Sequence, residues 1–243
     1  MLRRMLSSAL LSAMVLAGPA SAWAADDDPE PAPLPTAMAD FNRDGLPDMA
    51  KVTIPAIGGS GAGLLTVWLG QADGSFRQTA SATQLGRDPR SMVAGDFNGD
   101  GIPDLIVGDG DGSVMEFLSD GVGNLTFAGD VVRLGSVTSV AVGDLNRDGI
   151  PDVAVSDLRG NAITVLLGTG KGSFRAAWTV QLPELGKVAH VAIADFNGDG
   201  VPDLAVTGGD EDTFEVLVGN GNGSFTLSPG LSNVRNPYSH CAT

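Results

Sequence analysis

Short apolar runs alternate with polar, glycine-rich turns from residue 36 to about residue 231. The clearest runs, 162–167 and 213–218, are almost continuously apolar, which is typical of strands covered on both faces. A Gly-rich turn ending in a Phe follows several runs, at Phe76, Phe174 and Phe225, and the looser second unit has its Phe at Phe127. The pattern predicts an all-β domain in which an outer strand starts at each of these Phe residues.

An acidic nine-residue segment recurs about every 50 residues, a spacing typical of propeller blades. Each copy follows a short run closed by a small residue and precedes a second apolar run, so it predicts a loop between the first two strands of a four-stranded unit. The four copies are 40–48 (DFNRDGLPD), 96–104 (DFNGDGIPD), 144–152 (DLNRDGIPD) and 195–203 (DFNGDGVPD).

The composition of this loop predicts a calcium site. Oxygen-bearing side chains stand at positions 1, 3, 5 and 9, Gly at position 6 permits a sharp turn, and the carbonyl of position 7 is available as a further ligand. Position 12 is never the Glu of an EF-hand, and the loops lack the His or Cys that zinc prefers. Asp, Asn and Gly also favour plain turns, but three crowded carboxylates per loop would repel each other without a cation. The predicted ligands are Asp40, Asn42, Asp44, Leu46 and Asp48; Asp96, Asn98, Asp100, Ile102 and Asp104; Asp144, Asn146, Asp148, Ile150 and Asp152; and Asp195, Asn197, Asp199, Val201 and Asp203.

These loops, together with the G-x-G-x-F turns, resemble the FG-GAP and VCBS repeat family of integrin α-subunit heads and many secreted bacterial proteins. The resemblance implies a β-propeller with a structural calcium ion in each blade, here about four ions. Many relatives have seven blades, whereas this chain has residues for four, at about 36–90, 91–138, 139–189 and 190–231. A closed four-bladed ring is the preferred arrangement, and an open arc completed by another chain is the alternative.

The N-terminal residues predict that the protein is exported. Residues 1–24 combine two arginines, a short apolar stretch and small residues in a cleavage pattern, which is typical of a signal peptide, while 25–35 read as an acidic Pro-rich leader and 232–243 as a tail. We therefore expect a secreted, periplasmic or extracellular protein, with the export route left open. The net charge of −15 disfavours nucleic acid as a partner, and no apolar run is long enough to span a membrane.

Catalysis is not the expected role, and the sequence predicts no catalytic residue and no organic cofactor. Only His190 and His240 offer a base in the mature chain, Cys241 is the sole cysteine, and the Asp109 and Asp111 pair reads as a solvated turn. A calcium-dependent recognition or adhesion module for an extracellular glycan, matrix or protein ligand is preferred. A propeller-based hydrolase or lyase of extracellular polysaccharide and a self-associating structural protein are the alternatives.

Overall fold

The computed structural model describes residues 34–54, 62–86, 88–209 and 213–228. Within them, the strands form four antiparallel four-stranded sheets. The first sheet contains β1 (Thr36–Ala39), β2 (Asp48–Thr53), β3 (Leu64–Gly70) and β4 (Phe76–Gln84), and the second contains β5 (Pro89–Gly95), β6 (Asp104–Asp109), β7 (Ser113–Ser119) and β8 (Leu125–Arg133). The third contains β9 (Val137–Gly143), β10 (Asp152–Asp157), β11 (Ala162–Gly168) and β12 (Phe174–Gln181), and the fourth contains β13 (Val188–Ala194), β14 (Asp203–Gly208), β15 (Phe214–Gly219) and β16 (Phe225–Leu227).

Strands pair in chain order within every sheet, so each sheet is a simple meander. This confirms the predicted all-β class and the four-stranded units, with the acidic segment between the first and second strand each time. The prediction that the outer strand of the second unit starts at Phe127 is wrong, because β8 begins at Leu125. Leu125 is buried at the place where the other sheets have a Phe, whereas Phe127 is 51% exposed.

Three hydrophobic clusters join neighbouring sheets face to face. Along each second strand the side chains alternate: Leu105 and Val107 pack towards the first sheet, whereas Ile106 packs towards the third. The first strands of neighbouring sheets also contact each other, β1 with β5, β5 with β9 and β9 with β13. Small residues permit this approach, since a Cβ added to Gly143 of β9 would lie 3.1 Å from the Ile193 side chain of β13.

The two end faces of this stack differ in character. None of the clusters among the described residues joins the first sheet to the fourth, so the closed ring stays a prediction. The free face of the first sheet carries Lys51 beside Met49, whereas the second and third sheets have Val107 and Val155 at the position of Lys51. The free face of the fourth sheet is more apolar and includes the half-exposed Phe214 and the exposed His190.

Several predictions fall outside the described residues. These are the signal peptide, the leader up to residue 33, and the tail 232–243 with His240 and Cys241. Among the residues that are described, no helix is long and apolar enough to cross a bilayer. The one short helical element in that part of the chain is a 3-10 turn, Pro183–Leu185.

Candidate metal centre

Each acidic loop is folded around its own backbone N–H groups. The N–H of position 5 donates to both the Asp of position 1 and the Asn of position 3, at 2.8–3.1 Å, and the Gly of position 6 donates to the other oxygen of position 1 at 2.8–2.9 Å. Position 7, which is Leu46, Ile102, Ile150 or Val201, donates to the Asp of position 5 at 2.7–2.8 Å. The same network in all four copies brings the side chains of positions 1, 3 and 5 together.

The Asp of position 9 has a different role from the rest of the loop. Asp48, Asp104, Asp152 and Asp203 are fully buried. One oxygen of each accepts the N–H of position 2 at 2.8–3.2 Å, and the other accepts an N–H at the end of the third strand at 2.8–2.9 Å. This carboxylate therefore links the loop to the centre of its own sheet.

Two positions in each loop need left-handed backbone. Position 6 is always Gly, with φ between 79° and 83°, which a side chain would strain. Position 4 is also left-handed, and there two loops use Gly whereas the others use Arg43 and Arg147, with φ of 61° and 64°. The guanidinium of Arg43 donates to the backbone carbonyl of Asp100, so it bridges from the first loop to the second.

Position 2 connects each loop to the following sheet. The carbonyl of Phe41 accepts the Ser119 hydroxyl at 3.3 Å, that of Phe97 accepts the Gly172 N–H at 3.0 Å, and that of Leu145 accepts the Gly223 N–H at 3.2 Å. These three side chains are at most 1% exposed, whereas Phe196, in the fourth loop, is 45% exposed. The difference arises because no described sheet follows the fourth.

Burial perturbs the carboxylates of position 9. Desolvation raises the pKa of Asp104 and of Asp152 to about 6, against backbone hydrogen bonds that lower it, and also raises the pKa of Asp48. The shift has the opposite direction at an exposed position of a loop, where the backbone hydrogen bond from Gly200 lowers the pKa of Asp195. The loops thus hold several carboxylates at different depths below the surface.

The donor chemistry of the loops fits a hard cation. All side-chain candidates are oxygen donors, which calcium prefers. Most of the carboxylate oxygens accept one backbone hydrogen bond and keep a second lone pair, whereas Asp96 Oδ1 and Asp195 Oδ1 each accept two N–H groups. Among the described residues, the ion pairs are Arg90 with Asp88 and Arg133 with Asp130, and neither includes a loop aspartate. However, no three acidic, His or Cys side chains in that part of the chain are already gathered as a metal site. A bound ion would therefore require the Asp of position 5 to turn away from the Asn amide, which donates to it at 2.9–3.0 Å.

Sequence reasoning missed several buried acidic residues. Asp109 is not part of a solvated turn as expected: it is 3% exposed, accepts the Ser113 N–H at 2.9 Å, and has its pKa raised by desolvation. Asp157, at the same place in the third sheet, accepts four backbone N–H groups. Glu116 and Glu215 are also buried between sheets. In the sequence, only their position on the inward-facing side of a strand could have indicated this burial.

Comparison with known families identifies the repeat. The family model described as FG-GAP-like repeat matches residues 40–107, 96–155 and 144–206, and the FG-GAP repeat model matches residues 188–227. The chain belongs to the FG-GAP repeat family. Each FG-GAP-like match starts at position 1 of one loop and ends in the strand after the next loop, so the repeat unit includes the contact between neighbouring sheets.

No curated protein matches the chain. Among solved structures, this FG-GAP repeat protein is similar to the V. cholerae biofilm matrix protein Bap1, with 19% identity and a TM-score of 0.48. The match covers 79% of this chain and 27% of that one.

Proposed function

We propose that the chain is a secreted, calcium-binding FG-GAP repeat module that recognises an extracellular glycan, matrix component or protein without catalysing a reaction. The observation that carries the calcium proposal is the absence of cationic partners for any loop aspartate among the described ion pairs. Besides desolvation, the carboxylate of position 5 raises the pKa of Asp48, Asp104 and Asp152, and a divalent cation would relieve that repulsion. Export is supported by the N-terminal sequence, residues 1–24.

The same residue types would hold the ion in each repeat. The carboxylates of positions 1, 5 and 9, the amide oxygen of position 3 and the carbonyl of position 7 make up an oxygen donor set of the kind calcium uses. Calcium would supply charge neutralisation and would fix the loop between the first two strands. At millimolar calcium and a dissociation constant near 10⁻⁴ M, mass action contributes about 1.4 kcal/mol per site, or roughly 6 kcal/mol for four sites.

Chelation and one loop variant test the calcium proposal. We expect removal of calcium from the mature protein to lower its melting temperature, and Asp100→Ala to reduce the calcium stoichiometry by one ion, measured by calorimetry and elemental analysis. Glu184→Ala is the matched control, because it removes an exposed carboxylate outside the loops. A chelated protein as stable as the calcium-loaded one, or an Asp100→Ala variant with unchanged stoichiometry, would show that the ligand assignment is wrong.

For the arrangement of the sheets, we propose an open arc of propeller blades in place of the closed ring preferred from sequence. Lys51 on the free face of the first sheet is typical of a capping surface. In a closed ring, its charged side chain would be buried against the apolar fourth sheet. Phe196 on the other free face is exposed at a position that is buried in every other loop. This asymmetry also supports the structural alternative, in which another chain covers the fourth sheet.

Two measurements separate these roles. Light scattering across a hundredfold range of protein concentration detects self-association of the arc, which a recognition module acting alone would not show. A glycan array and a panel of matrix proteins, each with and without chelator, test recognition directly. Binding that survives complete chelation would contradict the calcium-dependent role.

A further inference from the structure

A pocket of about 240 Å³ lies between the second and third sheets, away from the free end faces. It is formed by Glu116 on β7, Gly129 and Asp130 on β8, and the turn Gly172–Phe174 that leads into β12. Pockets for drug-sized ligands usually exceed 300 Å³. This pocket is therefore suited to a single long side chain or a small group.

Glu116 is the unusual residue of this pocket. It is 4% exposed, and its Oε1 atom has no hydrogen-bond partner among the described residues. The residue three places before the end of the third strand is Val67 in the first sheet, Val165 in the third and Val216 in the fourth. A carboxylate in place of an apolar residue in such a packed face costs several kcal/mol without a compensating partner, so packing does not explain Glu116.

The strand opposite Glu116 leaves room for a ligand. In the third sheet, Val165 pairs with Trp178, whose ring packs against Phe225 of the next sheet at 5.3 Å between centroids. In the second sheet the equivalent pair is Glu116 and Gly129. The bulky partner is replaced by a residue without a side chain, which leaves the space between these two sheets open.

The facing turn is also looser here than at the equivalent interfaces. A Cβ added to Gly123 or to Gly223 would lie 2.8 Å from a leucine of the preceding sheet, so those turns are tightly packed. At Gly172, the corresponding turn residue, the nearest atoms would be 3.7–3.8 Å away, and one of them is Oε1 of Glu116. The unpaired oxygen therefore lies beneath this loosely packed turn, buried from solvent, and a ligand reaches it when the turn shifts.

The charges around the pocket define the class of ligand. Asp130 lies at the rim with its side chain 48% exposed, and its only described ion-pair partner, Arg133, is 4.0 Å away and itself 66% exposed. The half-buried Phe174 provides an aromatic wall, which attracts cations. Burial and, to a smaller extent, the Asp104 carboxylate raise the pKa of Glu116. Lys171 and Arg175 flank the turn in sequence, but neither is among the residues that line the pocket.

We propose that this pocket binds the cationic end of a lysine or arginine side chain from a protein partner. The ammonium or guanidinium group donates to Glu116 Oε1, its aliphatic stem lies against Phe174, and Asp130 attracts it at the entrance. The inference deepens the proposed recognition role by naming a protein partner with an exposed basic residue. It rests on none of the predicted calcium ligands, although the turn at Gly172 packs against the second loop through Phe97 and Asn98, so the pocket is tested at saturating calcium and each proposal has its own readout.

Small cations test the pocket directly. We expect n-butylammonium and n-butylguanidinium chloride to give saturable amide shifts at Gly129, Asp130 and Gly172 in NMR spectra of the full mature chain, whereas 1-butanol gives none. Glu116→Gln should weaken this binding at least tenfold. Glu215→Gln is the matched control, because Glu215 is also buried with an unpaired oxygen but does not line the pocket, and it should change the affinity less than twofold.

A rim variant covers the case in which Glu116→Gln does not fold. Asp130→Lys places a cation at the exposed entrance and should also weaken binding at least tenfold. The proposal is overturned if the amines give no saturable shifts, if 1-butanol shifts the same amides, or if every folded pocket variant binds as tightly as the parent. The amine titration is carried out at saturating calcium. The number of bound calcium ions is measured separately by calorimetry, so a failure of one proposal does not imply a failure of the other.

Discussion

Phe97 and Phe196 occupy the same position of two acidic loops but have different surroundings. Phe97 is 1% exposed and contacts Phe174 of the third sheet, with ring centroids 5.4 Å apart. Phe196 is 45% exposed because no described sheet covers it. Replacing each with Ala therefore compares the same deletion with and without a neighbouring sheet.

The expected costs follow from burial. Deleting a fully buried Phe side chain costs about 3–5 kcal/mol, including the cavity that it leaves. Full burial of such a side chain contributes about 1.5–3 kcal/mol, and Phe196 has little more than half of that burial, so its loss should cost about 1–1.5 kcal/mol. We expect Phe97→Ala to be more destabilising than Phe196→Ala by about 1.5–4 kcal/mol.

Urea unfolding at saturating calcium measures both variants against the parent. Tryptophan fluorescence follows the first and third sheets through Trp68 and Trp178, and far-UV circular dichroism follows all four. Coincidence of the two signals is required before free energies are compared, because repeat proteins can unfold sheet by sheet. Both residues directly follow position 1 of their loops. Each substitution should therefore disturb ion binding to a similar extent, and this effect cancels when the two variants are compared.

Equal costs for the two variants would refute the open fourth face. If the cost of Phe196→Ala then stays the same on hundredfold dilution, the covering surface belongs to the same chain, as a closed ring requires. If it falls on dilution, the covering surface belongs to another copy.

Three further predictions concern stability and assembly. In chelated protein, the raised pKa values of Asp104 and Asp152 contribute stability that is full below about pH 4 and is lost as pH rises through about 6. Asp104→Asn should therefore flatten the dependence of urea stability on pH between about 4 and 7. Gly112→Ala should destabilise by several kcal/mol, because its Cβ would lie 2.1 Å from the Leu134 carbonyl, whereas Gly74→Ala, equally left-handed but with no atom within 4 Å, should cost only about 1 kcal/mol by thermal unfolding. Phe196→Glu should abolish any concentration-dependent association seen by light scattering; association that persists would place the contact elsewhere.

The acidic loops and sheet units were predictable because their signals are local. The turn itself is indicated by Gly at position 6 and by the spacing of the Asp and Asn residues. The flanking apolar runs indicate strands in the order that the structure shows. Leu125 was missed because it fills a place that an aromatic residue marks in the other repeats.

Properties that depend on neighbouring sheets could not be predicted from one repeat. Phe41 and Phe196 are the same residue in nearly the same nine-residue segment, yet one is buried and the other is not. The bridge from Arg43 to the Asp100 carbonyl is visible only once the first and second loops are adjacent. Glu116 is an intermediate case, since aligning the third strands would have shown a carboxylate where three valines stand.

The loop contacts indicate what an ion would stabilise in each repeat. Position 9 is hydrogen-bonded to the third strand of its own sheet, and position 2 is hydrogen-bonded to the following sheet. An ion between these positions would therefore hold an interface between sheets as well as one hairpin. The fourth loop lacks the second contact among the described residues, and its Phe196 is exposed. Its ion would stabilise only its own sheet, so we expect the four sites to differ in affinity, with the fourth the weakest until a partner covers that face.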